Sequence, residues 1–406
     1  MNIALAILGL ALLVFIHELG HFSVALAVGV RPRKFYVGFP PAVAKVRYRG
    51  IEYGLGAIPL GGFVKVPGMH RPAPSDLDVH LGRALQEAPE LGGPIERVKR
   101  ELADGDMAGA LAHLPALESV VRGAGLTAQA ARAAERGLTD LRDGLGLDAY
   151  WRQRTWKRVA FIFAGPAANV VVAVALLAAV FMIGVPIGTT RVVDTVSPDS
   201  RAQAAGLRAG DEVLAVNGRP LASDQISETI RASKGEPLRL TVRRDGQETT
   251  LRPVGAKLDD GTYRLGFALN ATYEQYGPLM ATRLAGETTW EVTKAIGAAL
   301  ARLATGENRE EVSSAVGIVQ GSSQALDAGF RYYLQVLALI SLSLALLNLL
   351  PLLPLDGGHI TFSIIEGLRG RSLGREVYER VSFVGIAFVL FLFAIGLSND
   401  IGRLSG

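Results

Sequence analysis

No cysteine occurs among the 406 residues. Disulfides and thiolate metal sites are therefore excluded, and any metal must be held by His, Asp or Glu. Charge is also scarce: Asp, Glu, Lys and Arg make up 20% of the chain, and the formal net charge is +4. So small an excess, with no basic stretch interleaved with aromatics, leaves no footprint for nucleic acid. No Lys or Arg precedes the amino-terminal apolar run, as the start of a secretory signal would require. Ala25-Leu26-Ala27 resembles a cleavage site, but His17, Glu18 and His21 inside the run speak against removal. What is plentiful is apolar surface. Hydrophobic residues are 49% of the chain, and mean hydropathy is +0.29. Soluble domains rarely average so high, so membrane spans are expected.

A spanning helix needs roughly 20 mostly apolar residues. The sequence offers four such stretches, at about 2–28, 159–185, 332–350 and 381–397. Lys and Arg gather on the cytoplasmic side of spans. Arg31, Arg33 and Lys34 follow the first stretch, Arg152, Arg154, Lys157 and Arg158 precede the second, and Arg369, Arg371, Arg375 and Arg380 lie between the third and fourth. Both termini are therefore predicted outside, with the first and third connections in the cytoplasm and the second outside.

The predicted fold class is a polytopic α-helical membrane protein with a membrane-associated β-hairpin region and an inserted α/β module. Residues 1–70 hold the first span and the hairpins. In residues 35–66, short β-type runs flank Arg49-Gly50, and Gly54, Gly56, Gly61 and Gly62 follow. The pattern fits hairpins hugging the membrane or an ordinary surface hairpin equally well. Residues 71–150 form a cytoplasmic insert, helical near 108–121 and 128–142 and otherwise an accessory or partly disordered element. His70 just before it, and His80 and His113 within it, read as isolated surface residues. Residues 151–189 carry the second span. Residues 190–269 form a compact module with strand-like runs at 191–193, 212–216 and 238–243, a helix at 223–232, and turn signals at Asn217-Gly218 and Asp245-Gly246, the latter joining two strand-like runs as a hairpin. Residues 270–331 read as amphipathic helices on the outer membrane surface. Residues 332–406 hold the last two spans.

His17-Glu18-Leu19-Gly20-His21 is an H-E-x-x-H pattern. On a helix, positions i and i+4 share one face, so both imidazoles can reach one Zn²⁺ about 2.0–2.1 Å away. Glu18 is then placed to take the proton of the attacking water. These ionisable groups lie inside an apolar span, where they are costly and mark function. A catalytic zinc takes a third protein ligand and keeps one position open. The third apolar stretch ends Asn348-Leu-Leu-Pro351-Leu-Leu-Pro354-Leu355-Asp356-Gly357-Gly358-His359. Its prolines break the helix, and broken backbone at membrane depth lines protein or a wet cavity. Asp356 is the candidate third ligand. His359 is a rival, better suited to a structural or supporting role. Both candidate ligand sets fall toward the cytoplasmic side by the topology above.

At these residues the chain resembles the site-2 protease family of intramembrane metalloproteases, in its bacterial branch of regulated intramembrane proteolysis. The resemblance rests on His17 to His21, on N-x-x-P-x-x-x-x-D-G at Asn348, Pro351, Asp356 and Gly357, on A-G-P-x-x-N ending at Asn169, and on Gly61-Gly62-Phe63-Val64-Lys65. It implies zinc held by His17, His21 and Asp356, with Glu18 as general base. It implies that Asn348, the Pro351 to Pro354 turn and the Gly61, Gly62, Phe63 hairpin help bind an unwound substrate segment. Asn169 is implied in a similar polar role or in a helix–helix hydrogen bond. Residues 205–218 resemble a PDZ domain in the permuted bacterial arrangement, with Arg264-Leu265-Gly266-Phe267 like its carboxylate-binding loop. Such a domain takes an extended peptide or the C-terminus of a pre-cleaved partner. Ala315-Val316-Gly317-Ile318 departs from relatives, which often have Gly-Pro before Gly-Ile, and the insert is longer than expected. The resemblance places the chain in a bacterial cytoplasmic membrane, cutting transmembrane proteins such as anti-sigma factors or remnant signal peptides. A PDZ-bearing scaffold without catalysis would not need Glu18. A metal transporter would show internal repeats, and none is visible.

Overall fold

A computed structural model describes residues 2–259, 261–304, 312–371, 373 and 375–405. The chain divides into two compact units, residues 178–284 and the remainder.

In the larger unit, helix α1 (Asn2–Val28) buries Ala6, Gly9, Leu13, His17, His21, Ala25 and Val28. Their spacing of three and four residues is one helical stripe, so both histidines lie on the packed face. The helix stops at Gly29 in the left-handed region, where Val30 N–H donates back to the Ala25 carbonyl. Two long strands follow, β1 (Lys34–Tyr48) and β2 (Ile51–Lys65). Each bends on itself, so that Lys34–Val37 pairs with Glu52–Leu55 on one side and with Gly62–Lys65 on the other. Gly38 and Gly61 have positive φ at the irregular steps, a conformation that glycine adopts without steric cost. The stretch Gly62–Lys65 is thereby left at the edge of the small sheet.

The insert is a bundle of α2 (Pro74–Glu87), α3 (Gly92–Asp104), α4 (Met107–Gly123) and α5 (Ala128–Leu145) around Leu81, Leu91, Ile95, Leu114, Leu117 and Leu145. Asp106 caps α4 and Thr127 caps α5, satisfying otherwise orphaned N–H groups. The bundle is fastened to the base of the hairpins. Arg33 binds Asp143 at 2.8 Å and Asp148 at 2.9 Å, and Lys65 binds Asp140 at 2.7 Å. Tyr150 and Trp151 donate backbone N–H groups to the Pro67 and Gly68 carbonyls.

Helix α6 (Thr155–Ile183) carries the second apolar stretch. In the smaller unit, α7 (Arg201–Ala205) and α8 (Ser223–Ala232) accompany a sheet whose main strands are ordered Phe267–Glu274, Val185–Val196, Glu212–Val216, Leu240–Arg244, Gln247–Thr250. Val193, Val213, Ile226, Leu240 and Val242 form its core.

Helix α9 (Pro278–Ala304) leads back to the larger unit. Residues 305–311, part of the predicted amphipathic linker, lie outside the described residues. Helix α10 (Ala315–Ala328) packs against α1 and α11 (Phe330–Asn348), with Ser322 and Ala325 buried. Its N-terminus is held by buried Asp400, which accepts from Ser314 N, Ser314 Oγ and Gly317 N at 2.9, 2.6 and 2.9 Å. Helix α12 (Asp356–Arg369) begins at the expected ligand, and α13 (Arg375–Ser405) ends the fold. Four described helices are long and apolar enough to cross a membrane: Asn2–Val28, Thr155–Ile183, Phe330–Asn348 and Val377–Arg403.

Candidate metal centre

His17 and His21 meet Asp356 where α1 faces the start of α12. Asp356 Oδ2 lies 3.2 Å from His17 Nε2 and 3.4 Å from His21 Nε2, and the two Nε2 atoms are 3.2 Å apart. His21 Nδ1 is 3.0 Å from the Phe161 carbonyl. A carbonyl only accepts, so the proton sits on Nδ1 and Nε2 presents a lone pair. Asp356 Oδ2 is buried without a hydrogen-bond partner. Electron pairs thus converge with no donor to neutralise them, an arrangement that a cation completes. Two imidazoles and one carboxylate are a zinc donor set that leaves a fourth position for water or substrate. Among the described residues this is the one His and acid cluster with ligand atoms close enough for one ion, all within 4.8 Å of one another.

Backbone supplies much of the remaining geometry. A Cβ on Gly165 would strike both ligand imidazoles, and one on Gly20 would come within 2.9 Å of the Ala168 side chain. Gly357 and Gly358 pack on the backbone of Leu349 to Leu353, which seats Asp356 in the first turn of α12. Gly165 is the glycine of the A-G-P-x-x-N stretch, which by itself implies no role for it, and nothing in the sequence marks the Phe161 carbonyl. Neither contribution involves a functional side chain, so neither has a residue-type signal.

Glu18, Gly61, Gly62, Phe63, Asn348 and Pro354 line a cleft of about 420 Å³ that opens at the three ligands. Gly62 is so near Glu18 that an added Cβ would lie 3.0 Å from its Cγ. The edge stretch Gly62–Lys65 therefore runs past the proposed base. Pro351 is exposed and outside this lining. Asn169 is fully buried and also outside it, with its amide nitrogen 3.2 Å from His17 Nδ1.

His359 stands in the wall between this cleft and a cavity of about 990 Å³ that also touches Met69 and Pro354. Burial, with the His70 imidazole opposite, pushes His359 down to about 4, so it is neutral at physiological pH. His70 is exposed, as expected, but not isolated: its ring packs against Tyr378 at 4.6 Å and lines the larger cavity. His80 lies against Gly137, and His113 is 3.8 Å from Glu101.

In the smaller unit, Leu265 is buried and Gly266 has φ +85°. Their carbonyls accept from Ala202 N and Ser197 N at 2.8 and 2.9 Å. Phe267 begins the edge strand of that sheet, whose outer ladder is open among the described residues.

A model of peptidase family M50 matches residues 5–392. Among curated proteins, the chain is similar to zinc metalloprotease RasP of Geobacillus kaustophilus, at 28% identity over 96% of this chain and 95% of the other. It is 29% identical to the regulator of sigma-W protease RasP of Bacillus subtilis, over 97% and 96%, and 29% identical to protease RseP of Yersinia pestis, over 99% of both.

Proposed function

The chain belongs to peptidase family M50, and on that footing we propose that it cuts the transmembrane segments of membrane-anchored regulators and remnant signal peptides. It is an intramembrane zinc metalloprotease of that family, a multi-pass protein whose substrates are membrane proteins. The single observation that carries the reading is the convergence of His17, His21 and Asp356 beside Glu18, in a cleft edged by Gly62–Lys65. The regulators are favoured as substrates because the similar Bacillus subtilis protein is named for sigma-W regulation.

His17, His21 and Asp356 hold the metal. The chemistry a bound zinc supplies there is Lewis acidity, which polarises the scissile carbonyl and lowers the pKa of the attacking water toward ~7. Glu18 takes that water's proton and delivers it to the leaving amine. A helical substrate hides its peptide bonds in the i to i−4 ladder, so it must unwind before attack. The edge stretch Gly62–Lys65 can pair with the extended segment and replace its lost backbone bonds. Asn348 and Pro354 lie along the same cleft and help hold that segment. The basic residues beside the spans support an active site toward the cytoplasmic side, with both termini outside.

The test is cleavage of a tagged single-span substrate in detergent, read together with zinc content. Glu18→Gln is expected to keep zinc and lose activity by roughly 10²–10⁴-fold, the usual worth of a general base. Asp356→Asn is expected to lose both. Full activity in Glu18→Gln would sink the mechanism.

A further inference from the structure

The two ligand imidazoles are oriented by different means. His21 donates Nδ1–H to the Phe161 backbone carbonyl. His17 also aims Nε2 at Asp356, so it too must carry its proton on Nδ1 if Nε2 is to give a lone pair. The group beside His17 Nδ1 is the Asn169 carboxamide, at 3.2 Å. Asn169 is fully buried, and its Oδ1 as placed has no hydrogen-bond partner. Amide nitrogen and oxygen exchange places by a half-turn of the group, which sets Oδ1 against Nδ1–H.

We propose that Asn169 is a positioning residue for His17, its carboxamide oxygen accepting Nδ1–H and so holding Nε2 free for the metal. The proposal rests on the zinc reading of the centre but not on proteolysis. A simple link between helices is the rival role, and that link is already made without the side chain. Ser341 Oγ on α11 donates to the backbone carbonyl of Asn169 at 2.9 Å, and any residue at 169 supplies that carbonyl. The side chain also lies outside the substrate cleft, which leaves His17 as the group it serves.

Partners of this kind typically change metal affinity 10–100-fold when removed. The experiment is zinc affinity of the purified full chain in detergent, by competition with a chromophoric chelator, alongside thermal melting of the metal-free protein. Asn169→Leu keeps the branching and heavy-atom count and removes the acceptor, so zinc should bind about 10–100-fold more weakly while the metal-free melting point stays near wild type. Asn169→Asp keeps an acceptor toward Nδ1–H and should bind within about threefold of wild type, or more tightly. Should the leucine variant fail to fold, Asn169→Ala takes its place in the same comparison. Wild-type affinity in the variant lacking an acceptor overturns the proposal. So does an aspartate variant as weak as that one. Because the readout is zinc binding, failure of the protease reading would show instead as tight zinc with no cleavage.

Discussion

At Gly165 the missing side chain is the functional feature. Its backbone passes so close to the His17 and His21 rings that no Cβ fits. Gly165→Ala should push the rings off their common point, and a misplacement of about 1 Å at a reacting centre costs about 100-fold. Cleavage should fall by about that factor and zinc should dissociate more readily, both measured on one preparation. Gly82→Ala is the control, because a Cβ there meets nothing within 4 Å. If the two substitutions behave alike, the close approach is unimportant. This contrast also marks what was legible from sequence. His17 and His21 could be read because helical spacing brings them to one face, and Glu18 because it precedes His21 by three residues. Asp356 could be read because prolines break the chain before an acid at matching depth. Gly165 and the Phe161 carbonyl act through backbone across an α1–α6 contact, which no spacing in the sequence reports. Asn169 was legible as a polar residue within a span, but which group it faces is a matter of tertiary packing.

Among the elements, the hairpin carries the prediction most specific to this mechanism. The folded-over strands leave Gly62–Lys65 as an edge beside Glu18. Pairing there requires an extended substrate, so the cost of unwinding enters the rate. Substrates with Gly placed at the cleavage region should be cut faster than Leu-rich ones, since each Gly weakens a helix interior by about 0.8–1.0 kcal/mol relative to Ala. A graded substrate series with equal rates would count against strand pairing. The doubled register was beyond sequence reading, because alternation shows strands but not which partner lies on each side. In the smaller unit, Asp211 is 1% exposed, and Arg244 binds it with two contacts of 2.7 Å. Burial alone would raise its pKa; the Arg244 guanidinium and the Arg208 N–H outweigh that and hold it below the usual carboxylate value. The lowered folded value means that stabilisation is present above the unfolded pKa near 4 and is lost as pH falls through the folded value. Hydrogen exchange of the Val185–Val196 strand should therefore accelerate on acidification below about pH 4. In Asp211→Asn it should be faster at neutral pH, by roughly 2 kcal/mol of lost protection, and respond less to acid. Equal acid sensitivity in both proteins would show that Asp211 does not carry the effect.

For the whole molecule, the question is what the smaller unit adds to an enzyme that already has a cleft. The sheet begins at Val185 and ends at Glu274. Its entry and exit segments meet, as Tyr276 N–H donates to the Phe181 carbonyl at 3.1 Å and Gln275 Nε2 to the Ile183 carbonyl at 3.0 Å. Residues 185–274 can therefore be excised and the ends rejoined by a short glycine-serine linker, which needs to span only a small gap. The metal ligands, the hairpin and the insert all belong to the other unit, so the excised protein should keep its zinc. If the module admits only partners already trimmed outside the membrane, the shortened enzyme should cut untrimmed and trimmed substrates at similar rates, while the full chain prefers trimmed ones. If the module instead recruits substrate through its open edge strand, excision should slow cleavage of trimmed substrates and leave untrimmed ones uncut. The ratio of the two rates, measured in full-length and excised enzyme at equal zinc content, separates gating from recruitment.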